Sequence, residues 1–160
     1  MHIFLVMVVA GVIATVGVGA IGGAGAGFVG LLIWIGALLI LGLVLSSMAK
    51  RQVSVRLGAP AELVLEAVLD EFKTLGWTRV NGPGAFNFKA RGFGMSMNLG
   101  KPVVSVDVEQ QEDGSTGVDI WLSTWNSQWG VVGCCDRVVT KVWQVQRRMA
   151  QLEADTRTDA

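Results

Sequence analysis

The first 49 residues contain no Asp, Glu, Lys or Arg, and all 13 basic and all 13 acidic side chains lie from Lys50 onward. Two uncharged, mostly aliphatic runs, at about 3–21 and 28–48, are each long enough to cross a hydrocarbon core of ~30 Å as an α-helix. The glycine-rich segment 22–27 between them predicts a tight turn. We therefore predict that residues 1–49 form a two-helix transmembrane hairpin.

The charges that follow the second run predict the orientation of this hairpin. Lys50, Arg51 and Arg56 come directly after it, whereas the turn carries no charge. The positive-inside bias then places both termini and the remaining domain in the cytoplasm, under a plasma membrane of the bacterial inner-membrane type. The alternative is a cleaved signal peptide ending near 18–20. That segment lacks a basic start, and the second run would still anchor the chain.

Three glycines within the apolar region, Gly19, Gly23 and Gly27, are spaced by four residues. Small residues at this spacing allow helix backbones to approach closely. The pattern fits either self-association of anchors or close packing within one hairpin. Neither run contains an ionisable side chain, which argues against proton or ion transport by this chain.

The polar remainder is balanced in charge, which argues against a nucleic-acid partner, because phosphate binding needs a strongly basic face. Its two cysteines, Cys134 and Cys135, are adjacent, an arrangement that rarely forms a structural disulfide and fits a reducing compartment. The expected partners are the lipid bilayer and either another membrane protein or a second copy of the chain.

Residues 50–153 show the patterns of a soluble α+β domain, with a disordered tail predicted at 154–160. Alternation of apolar and polar residues predicts strands, and spacings of three and four predict helices. A glycine-marked continuation through Phe93, Met95, Met97 and Leu99 is either one bent strand or a hairpin. The predicted elements are strands at 52–57, 77–80, 86–99, 103–110 and 118–125, and helices at about 60–75 and 132–153.

The order of these elements predicts a two-layer domain, an antiparallel sheet covered by a short and a long helix (β-α-β(n)-α). The final helix carries a heptad-like apolar seam, so a coiled coil is the alternative. The seam lasts fewer than three heptads, which favours a helix packed on the sheet.

A resemblance to a known superfamily appears at both ends of this domain. Val53 to Trp77 gives a strand, Ala59-Pro60-Ala61-Glu62, a helix containing Asp70, and then tryptophan. Asp113-Gly114-Ser115-Thr116 precedes a strand, a glycine-bearing loop and a long amphipathic helix. This pattern resembles the START-like, polyketide-cyclase-like helix-grip superfamily. The resemblance implies a sheet curled around the C-terminal helix, often around an apolar ligand, and it carries over no site residues.

The residue inventory restricts the chemistry that the domain can perform. The one histidine is His2, and tyrosine is missing from the sequence. Serine–histidine and cysteine–histidine catalysis and histidine zinc sites are therefore excluded within this chain. Glu66 and Asp70 lie one helical turn apart, a spacing that also describes an ordinary acidic helix face. We assign no catalytic, cofactor-binding or metal-binding residue and expect that the protein is not an enzyme.

Cysteine and tryptophan leave further alternatives. Cys135 fits a small buried residue of the final helix, and Cys134 is the better redox candidate of the two. Trp121 and Trp125 face either solvent or core. The basic residues on one flank of the final helix, together with two tryptophans, predict contact with an anionic membrane surface. The predicted membrane-surface contacts are Arg137, Lys141, Arg148, Trp125 and Trp129.

The function predicted from these patterns is a membrane-anchored, non-catalytic accessory or interaction module with a cytoplasmic α+β domain. The alternative is a membrane-tethered binder of a hydrophobic small molecule or lipid in a reduced helix-grip cavity.

Overall fold

The computed structural model describes residues 3–74, 76–91 and 101–158. These ranges contain three helices and seven strands. In chain order they are α1 (Ile3–Ala49), β1 (Val53–Leu57), α2 (Ala61–Phe72), β2 (Trp77–Val80), β3 (Phe86–Ala90), β4 (Val103–Gln110), β5 (Thr116–Thr124), β6 (Ser127–Gln128), β7 (Val131–Val132) and α3 (Cys135–Thr158).

Five strands form one antiparallel sheet in the order β1-β5-β4-β3-β2. Their side chains alternate between the two faces, and α2 and α3 pack on the apolar face. The predicted α+β class, with an antiparallel sheet under a short and a long helix, is confirmed. The apolar, helical character of the N-terminal region is confirmed as well, but as one long helix and not as the two separate helices that were predicted.

The core lies between the sheet and the two helices. Val104 and Ile120 from neighbouring strands are fully buried, and Met149 reaches them from α3. Phe72 of α2 stacks on Phe88 of β3 with ring centroids 4.0 Å apart. Side chains from both layers pack together in this interior, because strands of the five-stranded sheet present alternate apolar residues to the helices.

Both predicted ends of the final helix differ from the structure. The final helix begins at Cys135 and continues to Thr158, so the disordered tail predicted at 154–160 is wrong through Thr158. Its last turns are polar but helical, and Thr156 Oγ1 donates to the carbonyl of Leu152 at 2.6 Å. Residues 131–132 belong to a strand instead. The continuation predicted at 93–99 lies outside the described residues.

The apolar N-terminal region appears as one helix, α1, and this is the membrane-crossing candidate in the part of the chain that the structure describes. The turn predicted over residues 22–27 is shorter in the structure than expected. The helical conformation is broken at Gly23, with φ 81° and ψ 174°, and residues on both sides are helical. Glycine is suited to this break because it reaches positive φ without steric cost.

Contacts across Gly23 show that the two parts of α1 lie against each other. A Cβ atom placed on Gly27 would lie 3.0 Å from Cα of Gly19, whereas eight residues of straight helix would separate the two by ~12 Å. A Cβ atom on Gly11 would overlap the indole of Trp34. The part of α1 after Gly23 therefore runs back along the part before it.

Candidate functional site at the helix–domain junction

The C-terminal end of α1 is built into the core of the domain. Leu45 and Ala49 are buried and belong to the same apolar cluster as Val132 and Cys135. Three residues, 50–52, separate α1 from the first strand. Helix and domain therefore share packing at this junction, and no long linker separates them.

A buried hydrogen bond fastens the junction. Ser46 is 2% exposed, and its Oγ accepts a hydrogen bond from the backbone N–H of Val132 at 2.7 Å. The N–H of Val132 points away from its partner strand, because the neighbouring ladder bond is donated by Gly133 to the carbonyl of Asn126. Without Ser46 a buried backbone donor would lose its acceptor, which is costly in a water-excluded site.

The β6–β7 hairpin, residues 127–132, lies along the last turns of α1. A Cβ atom on Gly130 would lie 3.1 Å from Cδ2 of Leu43, so the hairpin backbone approaches the helix closely. The two turn residues, Trp129 and Gly130, both have positive φ, 54° and 82°. These values indicate a tight type I′ turn.

The tryptophans predicted to meet the membrane lie at this junction. Trp129 is 86% exposed at the hairpin tip. Trp125 is 45% exposed, and Nζ of Lys50 lies 5.8 Å from the centre of its ring. The structure thus brings both side chains beside the end of α1, where Lys50 is the first charged residue after the helix. Their contact with lipid stays a prediction.

Lys141, by contrast, cannot contact a membrane surface, and its assignment to the basic flank is wrong. Its ammonium group is buried, donates to the carbonyl of Glu71 at 2.8 Å and to Oγ1 of Thr74 at 3.0 Å, and lies 3.7 Å from the carboxylate of Glu71. A cation beside the last carbonyls of a helix stabilises its C-terminus, and Lys141 does this for α2. Burial lowers the pKa of Lys141, although the nearby Glu71 opposes this effect.

The other two residues of the predicted basic flank differ from each other. Arg137 is half-buried, and its guanidinium donates to the carbonyl of Arg91. Arg148 is exposed on α3. The helical spacing that suggested a common flank therefore does not bring the three charges to one open surface, since α2 covers the middle position.

The two cysteines occupy different surroundings at the start of α3. Cys135 is buried, as predicted, and burial raises the pKa of its thiol. A hydrogen bond with Ser46 opposes this rise, and the carboxylate of Asp136 adds to it. Cys134 has φ 57°, and its carbonyl accepts hydrogen bonds from the N–H groups of Arg137 and Val138. Cys134 thus closes the first turn of α3 through its backbone.

The carboxylates singled out in the sequence are exposed rather than gathered in a cleft. Glu66 and Asp70 are both exposed on α2, and Asp70 pairs with Lys73 at 2.6 Å. Within residues 3–74, 76–91 and 101–158, no group of three or more His, Cys, Asp or Glu side chains is placed to hold a metal ion.

The sheet face opposite the helices carries a polar network. Oγ of Ser105 donates to Oδ1 of Asn87 at 2.6 Å, and Asn87 also bonds both backbone groups of Gly84. Trp121 lies half-buried on this face, because the loop at Gly84 covers part of its ring. Trp121 therefore faces away from the helix-covered core. It is partly covered by the loop at Gly84, a contact that the sequence did not predict.

The three glycines spaced by four have separate roles. Gly19 and Gly27 contact each other across the fold-back of α1, and Gly23 supplies the break. This supports packing within one chain, the second of the two interpretations of the spacing.

No family model matches the chain, and no curated protein and no solved structure matches it either. The helix-grip resemblance therefore stays a prediction.

The β6–β7 hairpin and the Ser46 bond were missed in the sequence. Two-residue strands carry too little periodicity to detect, and a tryptophan at the first turn position is atypical of a type I′ turn. The one available signal was Ser46-Ser47, which interrupts the end of an otherwise apolar run.

Proposed function

We propose that this protein is a membrane-anchored, non-catalytic interaction module that presents its α+β domain in a fixed orientation beside the bilayer. The observation that carries the proposal is the buried junction, in which Leu45, Ser46 and Ala49 of the apolar helix complete the core of the domain. A tethered enzyme needs only a flexible linker to stay near its membrane, whereas shared packing transmits position and orientation.

The anchor is proposed to cross the membrane twice. A straight helix of 47 residues would be ~70 Å long, more than twice the ~30 Å of a hydrocarbon core. The break at Gly23 and the Gly19–Gly27 contact support two spans, and the charges from Lys50 onward support a cytoplasmic domain. Labelling of single cysteines at positions 2 and 160, in a chain with Cys134 and Cys135 replaced by alanine, tests this. Both should be reached only from the cytoplasmic side.

The arrangement of titratable groups supports a non-catalytic role. Each group with a shifted pKa among the described residues is explained by a structural contact, and the pKa of Lys73 is raised by its hydrogen bond with Asp70. Cys135 and Lys141 are held in structural contacts, and the pKa of Asp113 is lowered by its hydrogen bonds with Ser115 in a turn. Catalytic acid–base pairs usually combine perturbed pKa values with a shared cleft.

The close packing among the described core residues supports this module over the alternative binder of a hydrophobic ligand. A ligand site would need an apolar space of ~300 Å³ or more between sheet and helices. There, Phe72 stacks on Phe88, and Val106 and Val138 are fully buried by neighbouring side chains.

Native mass spectrometry of the full chain, extracted in mild detergent, separates these proposals. An interaction module should carry a second protein or a second copy at fixed stoichiometry. A matched chain with six Gly/Ser residues inserted after Lys50 and with Ser46→Ala loses both the short connection and the buried bond that hold the helix to the domain, so it keeps the anchor and the domain but loosens their relative orientation, and it should lose the partner. A monomer that retains one lipid or small molecule, with or without the insertion, would contradict the proposal and favour the binder.

A further inference from the structure

The tip of the β6–β7 hairpin combines a tight turn with an unsuitable residue. Type I′ turns need positive φ at both central positions, and Asn-Gly is a favoured pair. Here Trp129 occupies the first position with φ 54°, followed by Gly130 with φ 82°. A bulky side chain in the left-handed region carries a steric cost that asparagine or glycine would reduce.

Packing within the chain does not account for a tryptophan at this position. The side chain of Trp129 is 86% exposed, so most of its large apolar surface is not covered by the rest of the described chain. A strained backbone that displays an exposed aromatic ring is a reason to look for a function outside the fold.

The hairpin lies beside the end of the apolar helix, and this position indicates which surroundings the Trp129 ring has. Gly130 lies against Leu43, and Val132 bonds Ser46, so the hairpin runs beside the last two turns of α1. Leu43 lies six residues before the end of α1, or ~9 Å along the helix axis. Leu43 is itself 48% exposed, and it belongs to the apolar surface that needs a lipid environment.

Lys50 and Trp125 lie farther along the same axis, ~10 Å beyond Leu43. The Lys50 ammonium lies over the Trp125 ring, one residue beyond the end of α1. An apolar helix, then tryptophan, then a basic residue is the order found where a transmembrane segment leaves the hydrocarbon for the headgroups.

We propose that the β6–β7 hairpin is a membrane-insertion element, whose Trp129 enters the headgroup–acyl boundary of the same bilayer that α1 crosses. The inference rests on the proposed membrane anchoring and deepens it, because the hairpin adds a second contact that stops rotation of the domain about the anchor. The bilayer is favoured over a protein partner because the tip continues the exposed apolar surface of α1 around Leu43. Insertion repays the strained turn by removing the ring from water.

Fluorescence quenching in vesicles tests the insertion directly. The full chain is reconstituted into phosphatidylcholine vesicles that carry bromine atoms on their acyl chains, and its emission is compared with that in unbrominated vesicles. Trp129→Asn should remove a component that is quenched by bromine and blue-shifted. Trp143→Phe is the matched control, because Trp143 is also an exposed tryptophan, 57% exposed on α3, and its loss should remove unquenched emission.

Trp34 separates failure of this inference from failure of the anchor. Trp34 lies within α1, so Trp34→Phe should remove quenched emission whenever α1 is inserted. Quenched emission that is lost with Trp34 but unchanged by Trp129→Asn would overturn the hairpin proposal and leave the anchor intact. Absence of quenching at Trp34 would overturn the anchor itself. A Trp129 component that neither bromolipid nor aqueous iodide quenches would place the ring against a protein, and would also overturn lipid insertion.

Discussion

Ile33 of α1 and Ile120 of β5 are residues of the same type in opposite surroundings. Ile33 is 69% exposed, whereas Ile120 is fully buried between the sheet and its helices. The same contrast holds for the two regions as a whole, because in the most hydrophobic stretch of α1 the protein buries 11% of the residues. The domain supplies its own apolar environment, whereas the described part of α1 leaves most of its apolar side chains exposed, except at its last turns.

This comparison teaches where the boundary between the two regions lies. It does not fall at Lys50, where the charges begin, but inside α1, where the mostly exposed side chains of the helix give way to the buried Leu45, Ser46 and Ala49. The last turns of α1 therefore belong to the domain by packing, although they belong to the anchor by composition.

The largest expected difference between the regions comes from truncating matched isoleucines. Ile120→Ala should lower the free energy of unfolding by about 3–4 kcal/mol, since it removes a fully buried side chain and leaves a cavity. Ile33→Ala should change it by less than about 1 kcal/mol, because this side chain contacts detergent or lipid. Urea unfolding of the full chain in mild detergent measures both. Equal losses would mean that Ile33 is also buried, for example in a stable oligomer.

The junction is tested by neighbouring serines. Ser46→Ala should cost about 1–3 kcal/mol, because the buried N–H of Val132 loses its acceptor. Ser47→Ala is the control, since the exposed Oγ of Ser47 donates to the carbonyl of Val44 within its own helix, at 3.0 Å. It should change stability by less than about 0.5 kcal/mol. A neutral Ser46→Ala would show that the junction is not closed in solution.

The helix layer of the domain is tested by two basic residues of α3. Lys141→Met should cost about 1–2 kcal/mol, because the buried ammonium caps the C-terminal end of α2 through Glu71 and Thr74. Arg148→Met, at an exposed position, should be within about 0.5 kcal/mol of the wild type. A larger loss of stability for Arg148→Met than for Lys141→Met would contradict the buried position of Lys141.

The smallest expected effect is a pH dependence at Cys135. Burial raises the pKa of this thiol in the folded chain, so the unfolded chain loses its proton first as the pH rises. The stability that the protonated Cys135 thiol contributes to the folded chain is fully present below the unfolded pKa of ~8.5, and it is lost as the pH rises from there through the folded pKa. The free energy of unfolding of wild type minus that of Cys135→Ala should therefore shrink between pH 8 and 10. A difference that stays constant would mean that the thiol is not desolvated.

Parts of this architecture were readable in the sequence because they are periodic. Alternation in β4 and β5 identified the strands, and the turn at 112–115 joined them in the observed antiparallel pair. The charge-free region identified the apolar helix, and the spacing of Gly19 and Gly27 anticipated a close backbone approach. Each signal arises from the residues of one element or of neighbouring elements.

The remaining features depend on contacts between distant parts of the chain. Lys141 reads as a surface cation from its helical spacing, and only the packing of α3 against the end of α2 makes it a buried cap. Ser46 and Val132 lie 86 residues apart, and neither shows that it bonds the other. The candidate site was therefore predicted only in part. Trp125 and Trp129 were identified by residue type, but the junction that positions them was not predicted.

Hydrogen exchange at the amide of Val132 tests the central claim most directly, because this N–H donates across the boundary to Ser46 of the apolar helix. With the full chain in lipid vesicles, we expect Val132 to be protected to nearly the same degree as the amides of β4 and β5. Ser46→Ala should speed its exchange while those strand amides stay protected. Fast exchange of Val132 in the wild-type chain, beside a protected sheet, would contradict the account by showing that helix and domain are separately mobile.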